Sequence, residues 1–375
     1  MSLQSFAQRL VRRVKPSSRP ALTPYADALL RLGFDAEFQR ELHPSLTGES
    51  AAALATWYEA HGRAERLRAR FSVDLPEGLA FVERLSLPGD VRARLVHDLA
   101  ASWLWQAPPH AQPDEVLDVL LRPGPDWRPL VVISDSHGGQ YTTEEPLFAA
   151  GLLPVPRLCT GSSARGLGNP ASQAGAGQRI RAFLEERGDQ LAGAVLLFKF
   201  GQVDLEFVHD YRRVRDGRAP FDLDRAVAFA ADSVRRYIGF LREIRDLTPG
   251  RVVVTAAFPP ALNDAALRDG YLNAHIVELH GALDLESMRR ELQQLDMPSW
   301  AVRTDLARRY NAMLAEACAA AGLVFVDDFT PMLGADGLID PEVIVWHGGT
   351  DHHLCFTSPA ARRRAAGAAV AIAAL

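Results

Sequence analysis

The residues best suited to chemistry begin at Val131-Val-Ile-Ser-Asp-Ser-His-Gly-Gly-Gln140. A run of β-branched residues passes directly into small polar residues and paired glycines. In an α/β protein this pattern reads as a buried strand that stops where ligands bind, beyond the carboxyl end of the sheet. Two chemistries can start there. Ser136, on a tight turn, is a nucleophile once a base removes its proton. Asp135 and His137 form an Asp-x-His pair, and such a pair can instead supply the first ligands of a metal site that activates water.

Three more polar clusters follow. They are Gly161-Ser-Ser-Ala-Arg-Gly-Leu-Gly-Asn-Pro170, Gly201-Gln-Val-Asp-Leu-Glu-Phe207 and Trp346-His-Gly-Gly-Thr-Asp-His-His-Leu354. The first two each follow a β-rich run, and the last comes after the fifth such run. Parallel strands bring their carboxyl ends to one edge, so the four clusters should converge. A histidine near its ordinary pKa of about 6.5 can accept a serine proton at neutral pH. A carboxylate behind it holds the tautomer and stabilises the imidazolium. A binding domain without chemistry would leave Ser136 far from both His352 and His353.

The elements that must position these clusters divide the chain. Residues 1–125 carry little strand signal, with helical patterns at 26–32, 51–60, 78–85 and 91–105. Ser45 or Thr47 is placed to cap the helix that begins near Glu49. Trp57, Trp103 and Trp105 read as helical core. Residues 1–16 carry Arg9, Arg12, Arg13 and Lys15 without an apolar stretch, which suits an amphipathic helix and not a secretory signal. Pro108, Pro109, Pro113, Pro123 and Pro125 mark a linker.

From residue 126 to 375 short strands alternate with helices. The expected strands are 130–134, 155–160, 194–200, 251–256 and 323–327. The expected helices are 144–150, 177–186, 223–247, 303–320 and 359–372, with Asp222 or Asp224 as a cap for the third. This alternation implies right-handed crossovers and a flavodoxin-like three-layer α/β/α sandwich with a parallel sheet. Residues 258–298 fit no repeat of the pattern and read as an insertion near the top of the sheet. His209-Asp-Tyr-Arg-Arg213 reads as a charged loop, either solvated or lining a substrate entrance.

Bulk composition narrows the function classes. The chain has 375 residues, 48% hydrophobic and 23% charged, with a formal net charge of −5. Nothing in that charge favours nucleic acid. Cys159, Cys318 and Cys355 are too scattered for a thiolate metal site or a disulfide framework. No apolar run reaches the roughly 18 residues of a membrane span. A cytoplasmic protein is expected, with no cofactor and with a protein partner for the helical region left open.

The order and placement of the clusters resemble the SGNH, or GDSL-type, hydrolase superfamily. The resemblance covers residues 130–375 and rests on four short blocks. The first family block holds a nucleophilic serine in a Gly-Asp-Ser context, and here it reads Ser134-Asp135-Ser136. The second supplies an oxyanion glycine, which the resemblance assigns to Gly166, with Gly168 second. The third is Gly-x-Asn-Asp in the family but Gly201-Gln202-Val203-Asp204 here. Gln202 would then supply the amide donor, while Asp204 orients Ser136, Arg165 or substrate. An ionised Asp204 at the oxyanion position would repel the developing charge. The last family block, Asp-x-x-His, is matched only as Asp-x-His, Asp351 with His353. His352 is the alternative base.

The resemblance implies a serine esterase or O-acyltransferase acting on an acylated glycan or a small hydroxylated molecule. Its site is Ser136, His353 and Asp351, with Asp135, Gly201, Asp204 and His352 in support and Arg165 and Asn169 at the substrate. Two other readings remain: a metal-dependent phosphoesterase through Asp135 and His137, and a degenerate binding domain. The phosphoesterase blocks Gly-Asp-x-x-Asp, Gly-Asn-His-Asp/Glu and Gly-His-x-His are missing, although His347, Asp351, His352 and His353 could still ligate metal.

Overall fold

The computed structural model describes residues 22–62, 69–106, 117–118, 120–121, 128–141, 147, 150–271, 285–356 and 358–375. They fall into two compact units, one up to Leu120 and one from Arg128 to Leu375.

The first unit is helical, with helices Pro24–Arg31, Ala36–Leu42, Ala51–Trp57, Leu75–Arg84 and Gly89–Gln106. Its described core includes Leu29, Leu54, Tyr58, Phe71 and Val82. Ser50, not Ser45 or Thr47, caps the third helix, where its Oγ accepts from the Ala53 N–H at 3.2 Å. Residues Pro44–Leu46 form a separate 3-10 turn, and the Thr47 hydroxyl donates back to the Pro44 carbonyl at 2.6 Å. Trp57 is half-buried, its ring 5.1 Å from that of His43. The Trp103 and Trp105 side chains and the helix expected over 1–16 lie outside the described residues.

The second unit holds five parallel strands: β1 Arg128–Ser134, β2 Leu152–Leu158, β3 Val195–Lys199, β4 Arg251–Thr255 and β5 Val324–Val326. Their order is β2-β1-β3-β4-β5. Side chains alternate across β1, so Leu130 and Val132 join Val195, Leu197 and Val253 in one apolar layer. That layer is closed by Ala368, Ala369 and Ile372 of the terminal helix Pro359–Ala373. The connections after β2, β3 and β4 carry helices Ala176–Arg187, Leu223–Leu247 and Trp300–Ala321. The first and last of these helices both pack against the long middle one. Buried residues Ala230, Val234, Ile238 and Leu241 recur at helical spacing along that middle helix, and Asp222 caps it at 2.9 Å. The result is the three-layer α/β/α sandwich expected from the alternation.

Two details differ from the sequence reading. Residues 209–213 are not a loop but part of a helix, His209–Arg215, which follows a π-helical turn over Asp204–Val208. The poorly fitting segment contributes helices Asp264–Arg268 and Leu285–Gln293. Met288 and Leu292 of the latter pack against Val203, Phe207 and Tyr211, so the insertion covers the third polar cluster. The helix expected over 144–150 lies mostly outside the described residues. Among the described residues no helix is long and apolar enough to cross a membrane.

Candidate functional site

In the order β2-β1-β3 the chain leaves β1 for one neighbour and reaches the other only later, which makes a switch point between β1 and β3. Crevices at such points bind ligands. Ser136 opens the 3-10 turn Ser136–Tyr141 just beyond β1, and Gly201 lies two residues beyond β3. The edge is held by backbone bonds, Asp135 N–H to the Lys199 carbonyl at 3.3 Å and Cys159 N–H to the Ser134 carbonyl at 2.6 Å.

The Ser136 hydroxyl donates to His353 Nε2 at 2.9 Å, and His353 Nδ1–H donates to Asp351 Oδ1 at 2.8 Å. The same carboxylate oxygen accepts the His353 N–H at 2.7 Å. Hydrogen bonding from His353 holds the Asp351 carboxyl well below the usual carboxylate range, outweighing partial burial. His347 fastens this loop: its Nε2–H donates to the His353 carbonyl at 2.8 Å and its Nδ1 accepts from Gly349 N–H at 3.2 Å. Serine, histidine and carboxylate are therefore joined in one hydrogen-bonded chain.

His352 faces the other way. Tyr271 Oη–H donates to its Nδ1 at 2.6 Å, and its ring stands edge-on to Phe207 at 5.1 Å. Burial, then the neighbouring imidazoles of His137 and His353, lower its pKa to about 2, so it stays neutral in the folded protein. The unfolded chain protonates it near pH 6.5, so folding stability contributed by this group is lost as pH falls from about 6.5 toward 2. Asp204 works in the opposite direction between its unfolded and folded values, so a difference measurement is needed. By pH 5 the His352 contribution should have fallen by about 2 kcal/mol. We expect the stability gap between wild type and His352→Gln to shift by that amount in the variant's favour between pH 7 and pH 5, as read by chemical denaturation. A constant gap would mean that His352 is protonated in the fold.

His137 is fully enclosed behind the nucleophile. Its Nδ1–H and its backbone N–H both donate to Asp135 Oδ1, each at 2.9 Å. Burial works to lower its pKa, but the charge and hydrogen bond of Asp135, helped by Glu206, leave it raised. Nitrogen atoms of His137, His352 and His353 lie within 4.8 Å of one another and form the group best placed to hold a metal among the described residues. This differs from an Asp135–His137 ligand pair, because Asp135 is turned onto His137 itself. A metal taking His353 Nε2 would displace the Ser136 hydroxyl.

The third cluster is organised differently from its sequence reading. Gly201 has φ +121°, and a Cβ there would lie 2.6 Å from Tyr310 Oη. Only glycine suits that position without strain. Gln202 Nε2 donates to Glu206 Oε1 at 2.9 Å, inside the protein. Asp204 is wholly buried and accepts from Ala164 N–H at 2.6 Å, Arg165 N–H at 3.3 Å and Ser233 Oγ at 2.9 Å. Burial nevertheless raises its pKa to about 6. Its contacts make it an anchor for the second cluster.

Within that cluster Ser163 Oγ caps the short helix Ala164–Leu167 and takes the Gly166 N–H at 3.2 Å. Gly166 therefore spends its donor locally. Arg165 pairs with Asp232 at 2.9 Å, and Asn169 Oδ1 accepts from Ala171 N–H at 3.1 Å. Arg165 and Asn169 both border a cleft. Gly161, the first residue of the second cluster but not one of the expected donors, has φ +72° and lies three residues beyond Leu158, the end of β2. Its N–H donates to none of the described residues. Its signal was a glycine directly after a strand, ahead of paired serines. Glu206 also went unnoticed, although Gln202 and Glu206 are spaced i,i+4 on a helical turn. Tyr271, far from His352 in sequence, gave no local signal.

No protein-family profile and no curated protein matches the chain. Among solved structures it is similar to a GDSL-like lipase from Bacteroides thetaiotaomicron, at 13% identity over 74% of this chain and 96% of that one, with a TM-score of 0.36. It is similar to an extracellular lipase from Streptomyces rimosus at 13% identity, over 65% of this chain and 99% of that one, TM-score 0.34. A phospholipase A1 from Streptomyces albidoflavus aligns at 13% identity over 64% and 98%, TM-score 0.33. These are distant likenesses, and the contacts of Ser136, His353 and Asp351 carry the functional reading by themselves.

Proposed function

We propose that the chain is a serine ester hydrolase, and the observation that carries this is the continuous bond from Ser136 through His353 to Asp351. Ser136 Oγ attacks the ester carbonyl as its proton passes to His353 Nε2. Asp351 holds the Nδ1–H tautomer and stabilises the imidazolium. The tetrahedral oxyanion is met by the Ser136 N–H, which as the first donor of its turn donates to none of the described residues, and by the Gly161 N–H. His353 returns the proton to the departing alkoxide, which leaves as the alcohol. Water, deprotonated by His353, then attacks the acyl-serine carbonyl, and His353 returns the proton to Ser136 Oγ as the acid leaves.

Gly161 and the Ser136 backbone take the donor roles that Gly166 and Gln202 were expected to fill, because Ser163 takes the Gly166 N–H and the Gln202 amide is buried with one of its two N–H groups on Glu206. The substrate class is an ester of a glycan or another small hydroxylated molecule. A second hydroxyl in place of water would make the same apparatus an acyltransferase.

A fluorophosphonate probe tests this reading. Labelling is expected at Ser136, with the signal lost in Ser136→Ala. Labelling elsewhere, or none on folded protein, would remove the esterase assignment. Stoichiometric tightly bound zinc or manganese, released on His137→Ala, would instead favour metal chemistry through the three imidazoles.

A further inference from the structure

A cleft of about 490 Å³ opens beside the second cluster and is lined in part by Gly161, Ser163 and Gly166. That volume lies within the range of small-molecule sites. Of the fifteen described residues that line it four are arginines, Arg165, Arg212, Arg215 and Arg236, and none of the fifteen is acidic. In a chain of net charge −5 this is a marked concentration of positive charge.

Nearby carboxylates do not cancel it. Asp232 is shared among Arg165, Arg235 and Arg236, and Asp216 faces Arg215. Arg212 makes no ion pair with any described residue. Two guanidinium groups are instead held over one aromatic ring, Arg165 at 5.0 Å and Arg212 at 5.5 Å from the centre of Phe229. Contact with a ring face orients a cation without neutralising it. The pKa of Arg165 is lowered, first by burial and then by the charge of Arg212, as expected of cations gathered without enough counter-charge.

Packed side chains link the lining of the cleft to the surroundings of Ser136. Its lining residue Gly161 follows β2, which pairs with β1 as far as Ser134 opposite Leu158. Its wall residues Val208 and Tyr211 share an apolar cluster with Phe207. The Phe207 ring meets His352, and the His352 ring lies 3.8 Å from that of His353.

We propose that this cleft binds an anionic group of the substrate, a carboxylate or phosphate carried on the ester, between the guanidinium groups of Arg165 and Arg212. The proposal rests on Ser136 as the nucleophile, and it adds the charge of the substrate that nucleophile meets. Planar guanidinium forks match both oxyanions, each offering paired N–H donors. Asp204 accepts the Arg165 N–H, and Arg165 lies four residues after the proposed Gly161 donor in the same cluster.

The experiment compares p-nitrophenyl esters matched in length and ending in a methyl, a carboxylate or a phosphate group. Wild type should prefer one or both anionic esters in kcat/KM. Arg212→Glu should lower the anionic-to-neutral ratio by about tenfold or more, the scale of a charge pair near a protein surface. Arg215→Glu, on a well exposed side chain, should lower it in the same direction if Arg212→Glu does not fold. The carboxylate and phosphate arms tell the two sources of charge apart. Equal kcat/KM for all three esters, or a ratio unmoved by folded variants, would overturn the subsite. Titration of Ser136→Ala with adipate and with inorganic phosphate separates the two readings. Binding of either anion that weakens with Arg212→Glu supports the cleft even if Ser136 fails to label, and no binding of either counts against it.

Discussion

Turnover of an activated ester should fall by about 10⁴-fold or more in Ser136→Ala, and His353→Ala should cost nearly the same. Combining the two should add almost nothing. The reason is the shared bond: His353 Nε2 receives its only described hydrogen bond from Ser136, so removing either group ends the same proton transfer. Asp351→Asn should lower kcat by about 10⁴-fold with little change in KM, because an amide at that position favours the wrong imidazole tautomer. His352→Gln should be much milder, since His352 bonds Tyr271 and not Ser136. Steady-state kinetics on one ester with these variants and the double variant checks all four statements. Additive losses in the double variant would show that Ser136 and His353 act in separate steps, and the proposed mechanism would fall.

The sandwich was legible from sequence because strand and helix periods alternate cleanly from residue 130 onward. Val131, Val132 and Ile133 are buried on a central strand, as the β-branched run implied. Ser136, Asp351 and His353 could be singled out because parallel strands bring their ends to one edge, and His353 bonds both of the other two. The donor assignments were harder to read. Gly166 was chosen by motif, yet Ser163 three residues earlier is a capping signal that claims its N–H. Gln202 was chosen by position, yet Glu206 one turn later claims its amide. Local hydrogen bonds thus outcompeted the motif at both positions. The role of Asp204 depends on Ser233 and the Ala164 backbone, which lie 29 and 40 residues away, and no short-range pattern encodes that meeting.

The largest effect on stability should come from a pair that the sequence did not advertise. Lys199, the last residue of β3, is enclosed and donates to Asp328 Oδ2 at 2.8 Å. Tyr141 Oη–H donates to the same oxygen at 2.6 Å, and the ammonium lies 3.3 Å from the centre of the Phe258 ring. Burial pushes the Lys199 pKa down and the Asp328 pKa up, and their mutual attraction opposes both shifts. Lys199→Met would leave the Asp328 carboxylate buried with only a phenol for compensation. Its expected cost is about 3–5 kcal/mol, the range for removing one member of a buried pair. Asp328→Asn should cost a comparable amount, because the buried ammonium then keeps the Ala256 carbonyl and the Phe258 ring but no counter-charge. The double variant should lose clearly less than the sum, because neither charge is then left alone. Lys199 also offers the carbonyl that receives the Asp135 N–H, so loosening β3 reaches the turn that carries Ser136. Hydrogen exchange of the β3 and β4 amides, compared across the two single variants and the double, measures the coupling within this unit. Additive losses, or a Lys199→Met cost below about 1 kcal/mol, would mean that the pair is solvated and contributes no more than a surface salt bridge.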